Sequence, residues 1–221
     1  DPIEKKPFFH FYPGEKAFSI GTVGCNFGCL FCQNWDISQA TKESLPSLEK
    51  DDSASPEKII ELCKKSGSKI IAYTYNEPVI FLEYMLDIAK LAKKNNIKNV
   101  MVTNGFATKE SMDLLAPFID ASRIDLKAFS DDLNKKICKS RLEPVLENIR
   151  YTYKLGIWTE IITLIIPGKN DSKDELSKIA GFIAGIDKDI PWHVTAFYPM
   201  YKMSEVERTK KDKLIEAYEI G

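Results

Sequence analysis

No run in this 221-residue sequence is apolar for long enough to cross a bilayer. The longest such stretches, of which 161–166 is an example, fall far short of the ~20 residues a helical span needs. An excess of one charge is also missing. The net charge is −1, so nothing in the balance favours nucleic acid or an anionic membrane as a partner. No secretory signal stands at the start, where charged residues come first. The five cysteines are an odd number, with three inside eight residues. That is not the framework of a secreted disulfide scaffold. Clustered thiols in such a chain point to metal or redox chemistry in a reducing, cytoplasmic setting. No internal repeat or low-complexity tract is present.

What is present is ordinary globular material, 44% hydrophobic and 29% charged, long enough for one domain with a sizeable core. We take 1–221 as a single domain. The chain opens at Asp1 without a Met and stops inside an apparent helix, so it reads as a piece of a longer chain, truncated at both termini. Short β-rich runs at 17–23, 69–75, 98–103, 121–126, 158–166 and 192–197 alternate with amphipathic segments. The runs are rich in Ile, Val, Thr and aromatics, as strands buried on both faces are. Helices are predicted from Ser55-Pro56-Glu57 onward, over 79–95, 108–117, 131–155 and 172–186, and over 204–220. Ser172 with Glu175 has the capping-box spacing. Strands each followed by a helix imply a parallel sheet with right-handed crossovers. An open dinucleotide-binding sheet is the competing architecture, but no G-x-G-x-x-G follows the first strand. The fold class is therefore α/β, a partial (β/α)6 barrel with parallel strands, whose chemistry should collect at the carboxyl ends of the strands.

The first strand leads into Gly24-Cys25-Asn26-Phe27-Gly28-Cys29-Leu30-Phe31-Cys32, a C-x3-C-x2-C loop over 24–33. Three thiolates can converge from so short a loop, with glycines to permit its turns. Cubane iron–sulfur clusters normally take four cysteines, so three local ones leave one iron open to another ligand. The alternative is a structural zinc site in a non-catalytic interaction module. Zinc wants four closed ligands, and the fourth would have to come from His10, His193, Cys63 or Cys138. None of these has the short second-pair spacing of a zinc ribbon or finger.

C-x3-C-x-aromatic-C after the first strand of an α/β chain resembles the radical S-adenosylmethionine superfamily, and the resemblance runs over nearly the whole chain. It is nearest to activating enzymes of the pyruvate formate-lyase type. Within these, residues 1–7 (DPIEKKP), 73–78 (YTYNEP) and 102–105 (VTNG) look like the subgroup called AmmeMemoRadiSam. The resemblance implies a 4Fe–4S cluster on Cys25, Cys29 and Cys32 with S-adenosylmethionine as the second cofactor. It implies reductive cleavage to a 5′-deoxyadenosyl radical that takes hydrogen from a substrate, which could be a protein glycine. It also implies a low-potential electron donor, flavodoxin or ferredoxin.

The same resemblance places a Gly-Gly-Glu-Pro-like segment, which binds the methionine amino group, at the second strand end. Here Asn76-Glu77-Pro78 stands in its place. Glu77 and Pro78 match and the glycines do not. These three residues are expected to bind cofactor, although Asn-Glu-Pro is also a plain helix start. Asn104, after the third strand, joins them. Pyruvate formate-lyase activating enzymes carry a cation-linked acid just before Thr103; Val102 fills that place here, so the cation site is not carried over. Asp125-Leu126-Lys127 matches the fourth strand end, with the acid and the base on one face by alternation. Lys127 is expected to meet the methionine carboxylate and Asp125 to order the pocket. The competing reading is a buried ion pair that only holds the barrel. Parity does not decide which face of the fifth strand, with Thr159 and Thr163 or with Glu160, lines the pocket. Cys63 and Cys138 read as core, and His193 as structural. Lys135, Lys136, Lys139 and Arg141 form a basic stretch that is either a solvated face or a landing place for an acidic reductant.

Overall fold

The computed structural model describes residues 1–41 and 54–221. Six parallel strands form one sheet: β1 (Ala17–Ile20), β2 (Ile70–Tyr73), β3 (Lys98–Thr103), β4 (Ala121–Asp125), β5 (Trp158–Ile165) and β6 (Trp192–Ala196). Each strand lies beside the next one in sequence, in the order β1-β2-β3-β4-β5-β6. No reversal of strand order occurs, so the switch point of a dinucleotide-binding sheet does not exist here. Among the described residues β1 and β6 do not pair. The structure is thus an open, partial barrel, as expected.

The connecting helices are α1 (Trp35–Ser38), α2 (Pro56–Lys65), α3 (Leu82–Lys94), α4 (Lys109–Leu115), α5 (Asp131–Leu133), α6 (Leu142–Lys154), α7 (Lys173–Ala184) and α8 (Lys211–Ile220). Their starts follow local chemistry. The side chains of Ser55, Thr108 and Ser172 accept hydrogen bonds from Lys58 N, Ser111 N and Glu175 N, each satisfying a backbone donor that the first turn leaves orphaned. The Ser172–Glu175 box closes on one side only, because the Glu175 carboxylate turns to Phe129 N at 2.5 Å.

Alternation along the strands sorts the core into two layers. Ile71, Tyr73 and Met101 point outward against Ile59, Ile60, Met85 and Ile88 of α2 and α3. Ile124 and Ile161 pack outward with Val145, Ile149 and Ile179 of α6 and α7. The inward layer of Ile70, Ala72, Val100 and Ala121 meets Ile3 and Phe8 of the amino-terminal segment. Both of those side chains are fully buried, each worth about 1.5–3 kcal/mol relative to exposure. Residues 1–16 are therefore a plug inside the lower half of the barrel.

The helix predicted over 131–155 is two elements. The chain runs from α5 into a π turn (Asn134–Cys138) and then breaks at Lys139, whose φ is +57°. The 204–220 helix begins only at Lys211. The reason is Thr209, which is pulled onto the sheet: its hydroxyl donates to Ile165 O at 2.5 Å and accepts from Phe197 N at 2.8 Å. The helix of 79–95 opens as a 3-10 turn (Pro78–Phe81) before α3.

Candidate functional site

Two glycines let the chain leave β1 and enter the cysteine loop. A Cβ on Gly21 would stand 2.4 Å from the Thr74 carbonyl oxygen, so no side chain fits between β1 and the end of β2. Gly24 has φ +97°, a conformation that costs other residues dearly. The loop is then sewn to the protein by its backbone. Gly28 N donates to Cys138 O (2.9 Å), Leu30 N to Ile137 O (2.8 Å), and Lys202 N to Leu30 O (2.9 Å). Phe27 and Phe31 are buried anchors in the core behind it.

Cys25, Cys29 and Cys32 all open onto one cavity of about 490 Å³ at the carboxyl ends of the strands. Burial pushes the Cys25 thiol up to about 11. Cys29 is held up as well, by its hydrogen bond to the buried Cys138 and by burial. Cys138 lies behind the loop and does not reach the cavity. Cys63, on the buried face of α2, packs in the outer layer. Among the described residues, the three loop sulfurs do not gather to the spacing of a single-ion site. Three thiolates opening onto one cavity, with no fourth cysteine lining it, are a donor set that fits an iron–sulfur cluster with one iron left free.

Beyond β2 the backbone of Tyr75 and Asn76 turns left-handed, with φ +57° and +47°. Both residues face the cavity. Asn76 Nδ2 donates to Thr22 O at 2.5 Å, while the buried Asn76 Oδ1 has no partner. Glu77 points the other way. It is fully buried and its carboxylate accepts from Thr103 Oγ1 (2.8 Å), Asn104 N (2.7 Å) and Val79 N (3.2 Å). Burial lifts its carboxyl to about 7 against those three donors. Glu77 and Pro78 thus stand behind the cavity wall, where the carboxylate ties the end of β2 to the end of β3. Asn104 does face the cavity, and its Nδ2 donates to Asn26 Oδ1 at 2.7 Å. This joins the end of β3 to the cysteine loop.

The face of β4 carries a row of alternating charge. Asp125 accepts from Arg123 Nη1 and from Lys127 Nζ, the latter at 3.1 Å. All three residues line the cavity. Burial works against the Lys127 ammonium, yet the Asp125 carboxylate outweighs it and raises its pKa. Burial would likewise raise Asp125, but the two flanking cations hold it below the usual carboxylate range. The row is therefore charged throughout the neutral range. Arg123 went unremarked in the sequence, although period-two counting back from Asp125 places it on the same face.

The floor was also hidden. Lys5, Lys6 and Pro7 of the plug close the cavity from below. The Lys6 ammonium donates to Tyr75 Oη at 3.1 Å and sits 4.6 Å from that ring's centroid. Ile162 and Leu164 of β5, with Thr195, Ala196 and Tyr198 around β6, make the remaining wall. The face of β5 that carries Glu160 is thus the inward one, but its cavity-lining members are apolar. Glu160 and His193 lie lower, beneath the cavity.

The Radical SAM superfamily model matches residues 19–181. An uncharacterized protein of Methanocaldococcus jannaschii is 43% identical over 215 residues, covering 97% of this chain and 62% of that one. The chain thus spans under two thirds of that relative's length. The pyruvate formate-lyase 1-activating enzyme of Escherichia coli is 23% identical over 207 residues, covering 86% of this chain and 82% of the enzyme. Among solved structures, Streptococcus suis SuiB bound to S-adenosylmethionine superposes with a TM-score of 0.66 at 16% identity. It covers 98% of this chain and 48% of SuiB.

Proposed function

The chain belongs to the radical SAM superfamily, and on that premise we propose that it is a radical enzyme domain that cleaves S-adenosylmethionine reductively and takes hydrogen from a substrate. The observation that carries this reading is the shared cavity: Cys25, Cys29 and Cys32 open onto the same space as Asn76, Asn104, Asp125 and Lys127. Cys25, Cys29 and Cys32 would hold a 4Fe–4S cluster, which would supply the electron for reductive cleavage of S-adenosylmethionine.

The chain's own residues bind and orient. Lys127 is the residue we assign to the methionine carboxylate, supported by its sharing the cavity with the three cysteines. Its ammonium has three donors and gives one to Asp125. Asp125 positions Lys127 and holds its charge. Asn76, in the cavity wall, is assigned to the methionine end of the cofactor. Glu77 serves by fixing the ends of β2 and β3, and Asn104 by tying β3 to the cysteine loop. Ile162, Leu164 and the plug close the space and limit the entry of water.

The substrate reading is a backbone glycine of a partner protein, on the likeness to the activating enzyme. The reductant reading is an acidic flavodoxin or ferredoxin. Lys135, Lys136, Lys139 and Arg141 are exposed on the turn whose backbone holds Gly28 and Leu30, which puts positive charge just behind the cluster loop. Anaerobic reconstitution tests the core of the proposal. About four iron and four sulfide per chain are expected, with an electron paramagnetic resonance signal that changes on adding S-adenosylmethionine and with formation of 5′-deoxyadenosine. One stoichiometric zinc and no iron uptake would end the enzyme reading. Incubation with a deuterated candidate substrate, followed by the label into 5′-deoxyadenosine, identifies the target.

A further inference from the structure

One layer below the cavity, three segments distant in sequence bring their metal-ligating side chains together. His10 of the plug, Glu160 of β5 and His193 of β6 place ligand atoms within 4.8 Å of one another, and among the described residues no other such cluster is found. The geometry points to a structural divalent-cation site, of the zinc class, that staples the plug to the open edge of the barrel.

The Glu160 carboxylate has no exposed surface. His193 Nε2 lies 2.7 Å from its Oε2 and His10 Nδ1 lies 3.7 Å from the same oxygen. Zinc bonds to His and carboxylate of 2.0–2.2 Å, set tetrahedrally, separate ligand atoms by about 3.3 Å. The two distances bracket that value. The His10 side chain is 56% exposed and its ring lies stacked on that of His193, with centroids 5.5 Å apart, so it can swing to complete the set while leaving a coordination position open to water.

The carboxylate is also oriented as a ligand should be. Phe9 N (3.1 Å) donates to Oε2, while His10 N (3.2 Å) and Trp158 Nε1 (3.0 Å) donate to Oε1. These donors lock its rotamer in the way that outer hydrogen bonds fix metal-bound carboxylates. A divalent ion would set its positive charge directly against this buried anion. Two imidazoles with one carboxylate suit zinc among the available cations. The position argues for a structural ion. Glu160 and His193 sit near the amino ends of β5 and β6, away from the reactive strand ends, and Ile162, two residues on from Glu160, is already in the cavity wall. The ion would hold residues 8–10 against β6, the edge strand among the described residues.

The experiment uses cluster-loaded protein, so that the three loop cysteines are occupied. Zinc is added, the protein desalted, and metal counted by mass spectrometry. One zinc per chain beyond the cluster is expected. His10→Ala and Glu160→Gln should each weaken its binding at least tenfold, and Cys25→Ala/Cys29→Ala/Cys32→Ala should keep it. Zinc should also slow hydrogen exchange of the amides in 8–16 in the wild type and leave it unchanged in His10→Ala, whose exposed side chain makes misfolding no explanation. No uptake beyond the cluster, or uptake undiminished in His10→Ala, would overturn the site. Zinc lost only with the three cysteines would overturn it too.

Discussion

Replacing Lys127 by alanine separates a cofactor-binding lysine from a structural one. In the proposed pocket the ammonium makes a charge-assisted hydrogen bond to the methionine carboxylate, worth about 1.5–3 kcal/mol. Its loss should raise the Kd for S-adenosylmethionine about tenfold to 150-fold. The structural cost is bounded by what stays behind. Asp125 is partly exposed, with 28% of its side chain accessible, and keeps the Arg123 guanidinium when Lys127 is gone. The broken pair should cost about 1–3 kcal/mol, since the pair is largely buried but Asp125 keeps Arg123, or about 2–12 °C in Tm for a chain of this size. Equilibrium dialysis of cluster-loaded protein gives the Kd, calorimetry the Tm, and iron analysis should find cluster content unchanged. An unaltered Kd with a lowered Tm would refute the assignment and leave the β4 row as an ion-pair brace.

Each of Cys25→Ala, Cys29→Ala and Cys32→Ala should abolish 5′-deoxyadenosine formation and lower bound iron, whereas Cys63→Ala and Cys138→Ala should cost about 1–2 kcal/mol of stability and keep activity. If Cys138→Ala lost the cluster as fully as the loop variants, a fourth thiolate ligand would be present and the open iron would not. Glu77 predicts a pH effect. Its carboxyl is raised to about 7 in the folded protein from 4.5, so the folded state holds the extra proton between these values and stability should fall as pH rises from about 4.5 through 7. Urea titrations of the wild type should follow that slope, and Glu77→Gln should flatten it while lowering stability at acid pH, since one buried donor then faces an amide. A persistent slope in Glu77→Gln would assign the effect elsewhere. Finally, Lys136→Glu with Lys139→Glu should slow reduction by an acidic flavodoxin at low salt and leave reduction by dithionite untouched. Equal slowing with both reductants would remove the basic face from the electron path.

Strand order and the placing of the cysteine loop were legible because they rest on local signals: six β-rich runs, their spacing, and three thiols within an eight-residue span. Asp125 and Lys127 were legible for the same reason, being two positions apart on a strand. What escaped depends on contacts between distant segments. Lys6 becomes a floor residue only when the plug folds inside the sheet and meets Tyr75, 69 positions on. Glu77 lies beside cavity-lining neighbours, yet its side chain turns to the end of β3, and no pattern in 73–78 foretells that choice. The kink at Lys139 and the extended stretch before α8 are likewise set by tertiary hydrogen bonds, which override the helical periodicity of 131–155 and 204–220.

The departure from glycine at the end of β2 explains much of the local design. A left-handed conformation costs a non-glycine residue roughly 1–2 kcal/mol. Asn76 bears it more easily than most, through local hydrogen bonding, but Tyr75 is bulky and has no such relief. The strain persists because its surroundings over-determine it. Tyr75 is held at its hydroxyl and across its ring by Lys6. Asn76 is held by Thr22 O, and the next residue is locked by three hydrogen bonds to its carboxylate. Two glycines would give the same turn but would leave it loose and leave the floor lysine only its ion pair with Asp1. In this chain the turn, the plug and the end of β3 are therefore one mechanical unit. The side chains that replace glycine are what couple the floor of the cavity to the wall where Asn76 and Asn104 stand.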